Sequence, residues 1–173
     1  DALGLGWGGR SGMGPGPKPP GTPLRTGLLY TGAGARPVPS AGEVVPQGRV
    51  RLAGVTGYFD EVAGTGPVLL GSAAPAAALD GPRLAFLTGL GTRIVHLVAD
   101  GAPDAAPDAA VDVDGVYLPL LRAARARYLL VRPDHHVYGP ARTARELAAL
   151  VDAFRSALTG RPVTAGRADP AAV

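Results

Sequence analysis

An α/β domain, a mixed sheet flanked by helices, is the fold class this sequence predicts, and three observations predict it. Short apolar runs bounded by turn formers recur at residues 67–71, 92–98 and 128–131, lengths that suit buried strands better than helices. Helix-forming stretches at 75–90 and 118–124 separate these runs, and a strand–helix–strand crossover favours a parallel pair. The chain then closes on an amphipathic segment with clear start and stop signals, the pattern of a helix packed on one sheet face.

The limits of the domain follow from the glycines and prolines. The 173 residues include Gly 26 and Pro 18, about double ordinary usage. Residues 1–49 hold 13 of the glycines and 8 of the prolines. Runs such as Gly14-Pro15-Gly16-Pro17 break both helix and ladder. We therefore expect an irregular, floppy leader over 1–49, a domain over 50–160 and a frayed tail over 161–173. Hydrophobic residues at 46% and charged residues at 18% exclude wholesale disorder, which needs the opposite balance.

Within the domain, Val50, Leu52 and Val55 mark a short strand, and 58–62 one helical turn ending near Gly64. Residues 67–71 form a buried strand. Pro82 divides 75–90 into two short helical pieces. Residues 92–98 form a second buried strand, and 100–110 a loop. Val111-Asp112-Val113-Asp114-Gly115 leads into a helix opening near Leu118-Pro119, since Pro suits a first turn. Strands at 128–131 and 137–138 flank Arg132-Pro133-Asp134-His135-His136, a segment with hairpin turn chemistry. In the last helix Thr143 and Glu146 form a capping box. Leu147, Leu150, Val151, Phe154 and Leu158 make one apolar stripe, and Gly160 stops it. From Pro67 the order is strand, helix, strand, helix, strand, strand, helix, that of a thioredoxin-like sandwich.

Other counts exclude whole classes of function. With Cys 0 there is no disulfide scaffold, thiolate metal site or redox cysteine pair. The net charge is +3, and its arginines are scattered, so no nucleic-acid footprint is expected. No apolar run approaches the roughly 20 residues of a membrane span. The start lacks a signal peptide and an initiator Met, so we expect a cytoplasmic protein and a processed, truncated or partial chain.

Each candidate for chemistry has a plain reading beside it. Gly4-Leu5-Gly6-Trp7-Gly8-Gly9 matches G-x-G-x-x-G but has no strand before it and no helix after it, so it is read as accidental. Asp112 and Asp114 alternate with valines and form a candidate carboxylate pair; turn chemistry at the end of a strand, ahead of a helix, is the better reading. His135 and His136 are adjacent and point apart on a strand, which disfavours a shared metal. They read as hydrogen-bonded or solvent-facing, with Asp134 a possible orienting partner. His96 reads as half-buried with one nitrogen satisfied. Ser40, Ser72 and Ser156 lack a nucleophile elbow. No residue is assigned as catalytic, cofactor-binding or metal-ligating.

Several segments together carry a family resemblance. They are Val45-Pro46-Gln47-Gly48-Arg49-Val50, then Phe59-Asp60-Glu61-Val62 with Gly64-Thr65-Gly66 and Leu69-Leu70-Gly71. Leu90-Gly91 with Ile94-Val95 and Val111-Asp112-Val113-Asp114-Gly115-Val116-Tyr117 follow. The most specific is Leu130-Val131-Arg132-Pro133-Asp134 with Val137-Tyr138-Gly139. In this order and spacing, over about residues 24–158, the chain resembles the C-terminal region of FAD-dependent aromatic-ring hydroxylases. The closest branches are the 3-(3-hydroxyphenyl)propionate hydroxylase-like and polyketide hydroxylase-like ones. His135-His136 departs from the glycine or aromatic residues usual after that aspartate.

The resemblance implies a thioredoxin-like domain without redox cysteines. Family enzymes use NAD(P)H to reduce FAD and then O₂ to hydroxylate a phenol, through residues that lie upstream of this domain. It therefore implies no cofactor bound by this chain itself. The expected role is structural: packing on a flavin domain of the same or a separate polypeptide, with homo-oligomerisation possible. Other classes are a stand-alone redox-inactive interaction module, and a small hydrolase or metal enzyme built on Asp112, Asp114 and the histidines.

Overall fold

The computed structural model describes residues 21–102 and 109–160. Its backbone forms strands β1 (Arg49–Leu52), β2 (Val55–Tyr58), β3 (Val68–Gly71), β4 (Arg93–Ala99), β5 (Ala110–Asp112), β6 (Tyr128–Val131) and β7 (Val137–Ala141). Helices α1 (Phe59–Ala63), α2 (Gly81–Gly89), α3 (Tyr117–Ala123) and α4 (Ala144–Thr159) are joined by a 3₁₀ turn at Ala76–Ala78. One seven-stranded sheet results, in the order β2-β1-β5-β4-β3-β6-β7. β3, β4 and β5 run parallel; every other pairing is antiparallel. The thioredoxin-like mixed sheet with flanking helices is therefore present and enlarged on one side.

The side chains of β3 and β6 alternate between two cores, as the two-residue period of a strand requires. Val68, Leu70, Leu129 and Val131 face α1 and α3, where Val95, Leu97, Tyr117 and Leu121 join them. Leu69, Tyr128 and Leu130 face α2 and α4, against Leu87, Leu147, Leu150, Val151 and Phe154. Four of the five residues of the expected α4 stripe are buried; Leu158 is 46% exposed.

Two elements go beyond the expected element order. The single strand read around Val50–Val55 is a hairpin of β1 and β2, turning at Ala53 and Gly54 with φ of 49° and 81°. Two-residue hairpin turns want such left-handed pairs, and Ala lacks the turn preference that would announce one. β5 is only three residues long and adds the third parallel strand. The helical pieces within 75–90 are as expected, except that Pro82 lies in the first turn of α2, just after the Asp80 cap, where a missing N–H costs nothing.

The capping box at α4 is half formed. The Thr143 hydroxyl accepts the Glu146 amide at 3.1 Å, but Glu146 reaches past Thr143 to the Arg142 amide at 2.8 Å and to its guanidinium at 3.2 Å. That guanidinium adds a charge-assisted bond the Thr143 amide alone does not offer.

The described part of the Gly/Pro-rich leader, 21–48, is irregular in backbone yet hydrogen-bonded to the domain. It lies along β7 as a strap. The Tyr30 amide donates to the Tyr138 carbonyl at 2.9 Å, Gly42 to Val137 at 2.8 Å, Val137 to Glu43 at 2.8 Å and Val45 to His135 at 2.8 Å. Leu29 and Val45 are buried. Breakers exclude regular structure from this stretch, yet its alternating apolar residues still have a sheet edge to cover. Gly139 makes the close approach possible, because a Cβ there would lie 2.6 Å from Tyr30 Cβ and 2.7 Å from Leu150 Cδ1.

Candidate functional site

Asp112 and Asp114 are the obvious pair for acid–base work, and the structure separates them. Asp112 is buried and turns onto the start of α3. It accepts the amides of Val116 and Tyr117 at 2.9 Å and of Leu118 at 2.8 Å. A carboxylate there satisfies orphan amides and meets the positive end of the helix. Asp114 turns outward to Arg49, accepting its backbone amide at 2.8 Å and its Nη2 at 2.7 Å. The Arg49 side chain and amide hold the Asp114 carboxyl below the usual carboxylate range. The turn reading of both aspartates is the one observed.

Tyr117 completes this joint. Its hydroxyl accepts the Gly48 amide at 3.1 Å and donates to the Gly48 carbonyl at 3.2 Å; burial raises its pKa to about 12. A Cβ on Gly48 would lie 2.8 Å from Val116 Cγ2, so glycine is required for this contact. Asp112 lies four to six residues before the amides it caps, outside the usual cap spacing, and no local pattern signals the Tyr117–Gly48 bond.

The second cluster is the tip of the β6–β7 hairpin. The Arg132 guanidinium is forked between the Leu28 carbonyl at 3.0 Å and the Asp134 carboxylate at 2.7 Å. His136 Nδ1 lies 3.0 Å from the Asp134 carbonyl, and the Asp134 carboxylate is 3.5 Å from the same nitrogen. His135 has φ of 61° and is exposed. The two histidines thus take the hydrogen-bonded and solvent-facing roles. His96 on β4 is half-buried as expected, but its ring has no hydrogen bond with the described residues. Among those residues no group of three His, Cys, Asp or Glu could hold a metal ion. Ser40, Ser72 and Ser156 are not brought together with a base. Gly4 to Gly9 lie outside the described residues.

Cavities and helix ends decide what can bind. The space between Gln47, Phe59, Asp60, Tyr117 and His135 is about 30 Å³, room for about one or two waters, whereas open surface grooves elsewhere reach about 340 to 760 Å³. A flavin pyrophosphate needs free amides at a helix start. Here the Asp80 carboxylate accepts from Arg83 N at α2, Asp112 occupies α3, and Thr143 caps α4.

A shallow apolar groove of about 340 Å³ lies beside the hairpin tip, between Leu28, Pro67, Leu90, Pro133, Phe154 and Leu158. Leu90 is 39% and Leu158 46% exposed. These residues come from five separate parts of the chain, and no sequence pattern announced their convergence.

Fold and site together define a cysteine-free thioredoxin-like domain, braced at its helix ends by its own carboxylates. Residues 42–157 match the family described as HcaD C-terminal domain, and the chain belongs to that family. A curated relative is the "Probable NADH-specific resorcinol 4-hydroxylase" of Rhodococcus jostii (strain RHA1), 34% identical over 140 residues, covering 78% of this chain and 25% of the relative. Among solved structures, the flavin-dependent monooxygenase PieE in complex with FAD and substrate has a TM-score of 0.51 at 21% identity. It covers 82% of this chain and 26% of that one. Aklavinone-11 hydroxylase with FAD and aklavinone has a TM-score of 0.40 at 22% identity, covering 76% and 24%. The chain spans about a quarter of the length of the relatives it matches. It is a C-terminal domain of the kind carried by FAD-dependent monooxygenases.

Proposed function

We propose that this chain is the structural C-terminal domain of an FAD- and NAD(P)H-dependent aromatic hydroxylase whose flavin and substrate parts lie in the rest of a longer polypeptide. The observation that carries this reading is the family match over 42–157 in a chain that spans only a quarter of its relative. The site geometry supports it. Asp112 and Asp114 each serve a helix or strand end, and the starts of α2, α3 and α4 are each capped by one of the chain's own side chains. On this reading the chain binds neither FAD nor NAD(P)H, its main partner is the flavin domain, and self-association is secondary. No helix among the described residues is long and apolar enough to cross a membrane; a cytoplasmic location fits the parent chemistry.

The test is a flavin titration and a coding-sequence read. The purified chain should leave FAD fluorescence unchanged and oxidise no NAD(P)H with a phenol present. The frame upstream should carry a strand followed by G-x-G-x-x-G. Tight FAD binding by the 173 residues, or an open frame confined to them, would sink the proposal and favour a free-standing module.

A further inference from the structure

We propose that the apolar groove beside the hairpin tip is the surface that docks onto the flavin-binding part of the parent polypeptide; this rests on the function proposed above. Leu90 ends α2 and Leu158 lies in the last turn of α4, yet both converge on this groove. Among the described residues only four large apolar side chains are exposed, and two of them are here. Exposed apolar surface gathered in one place marks an interaction site, whereas scattered apolar residues do not.

The occupant follows from where the chain comes in. Gly21 lies against Val44, since a Cβ on it would be 2.7 Å from Val44 Cγ2. Val44 in turn bridges to His136 at the hairpin tip. Gly21, the first described residue, therefore enters the domain at the tip end, where Pro67 leads into β3 and Pro133 follows β6. The family is named for a C-terminal domain, so in the relatives the other three-quarters precede it. The groove and the entering chain share one end of the sheet.

The rim suits a permanent contact. The Arg132 and Asp134 charges are satisfied by each other and by the Leu28 carbonyl, so the rim brings little unpaired charge to be buried. The same fork holds Leu28 in the groove wall. The other exposed pair, Val55 and Tyr58, belongs to β2 at the far edge of the sheet and serves as the internal control.

Hydroxyl-radical footprinting of the FAD-loaded parent polypeptide and of the 173-residue chain tests this. Labelling of Leu90 and Leu158 should fall about tenfold in the parent, the ratio expected for a contact closed about nine-tenths of the time, while Val55 and Tyr58 keep their labelling. In the parent, Leu158→Asp should speed proteolytic release of the domain several-fold over Val55→Asp. Equal labelling of the two leucines in both proteins would overturn the proposal. So would protection that grows with the concentration of the 173-residue chain alone, which would make a second copy the occupant. A parent polypeptide without flavin absorbance would instead remove the function on which the proposal rests, and that is seen before any footprint is taken.

Discussion

The Asp112 carboxylate accepts the Tyr117 amide at 2.9 Å, and the Tyr117 hydroxyl in turn grips both backbone groups of Gly48. One buried acid thus fixes α3 and, through the first residue of that helix, the end of the strap. Asp112→Ala leaves three amides without their acceptor. Losing a cap costs roughly 0.5–2 kcal/mol, and buried donors left unpaired add to that. We expect a loss of about 2–3 kcal/mol, read as a lower urea midpoint at unchanged slope. Asp112→Asn should recover part of it, and a variant as stable as the parent chain would count against the capping role.

Arg132 holds the strap rather than the core. Lys in its place cannot fork to two acceptors in fixed geometry. Arg132→Lys should therefore speed hydrogen exchange at the Tyr30 amide, which bonds Tyr138, while exchange at Leu129 and Leu130 stays slow. Uniform acceleration across the sheet would show that the strap and core open together.

Gly139→Ala pushes a methyl group into Tyr30 and Leu150, and overpacking of this kind costs about 1–3 kcal/mol. Gly89→Ala, which meets nothing within 4 Å, should instead stabilise by about 0.4–1 kcal/mol through the unfolded chain. Thermal melts of both variants check the opposite signs.

Tyr117 and Tyr138 are each raised from 10.0 to about 12, chiefly by burial. A raised folded-state pKa means that the contribution is whole below pH 10 and is lost as pH climbs from 10 towards 12. Urea midpoints should fall across that window, and less steeply in Tyr117→Phe. At the acid end, Asp114 and Glu146 are held low by Arg49 and Arg142. Their small contribution is present above the ordinary carboxylate range and fades as pH falls below it, an effect that added salt should weaken. Stability flat from pH 10 to 12 would contradict the buried tyrosines.

The elements legible in the sequence are those written in local pattern. The α4 stripe, the 132–136 turn and the apolar runs of β3, β4 and β6 all depend on residues within a few positions of one another. β5 showed only through the Asp114-Gly115 turn that ends it, because three residues make no period, and the β1–β2 turn escaped because Ala53 is an atypical turn residue. The strap escaped for a different reason. Its hydrogen bonds pair Tyr30 with Tyr138 and Gly42 with Val137, and such contacts across about a hundred residues leave no local trace. The same holds for the candidate groove, whose leucines are brought together by the ends of two helices. The plain readings of Asp112 and Asp114 succeeded because Asp before a helix already carries its physical role.

The strap makes the two edges of the sheet unequal. β7 is occupied by its own chain and carries Pro140, while β2 ends the sheet in the open. Growth into a filament requires an acceptor at both edges, and this sheet offers one. Two copies joined β2 to β2 would consume the one edge that the described residues leave free, in a closed, two-fold contact. Edge pairing through the described residues therefore stops at two copies, and without the strap only Pro140 would guard the β7 edge.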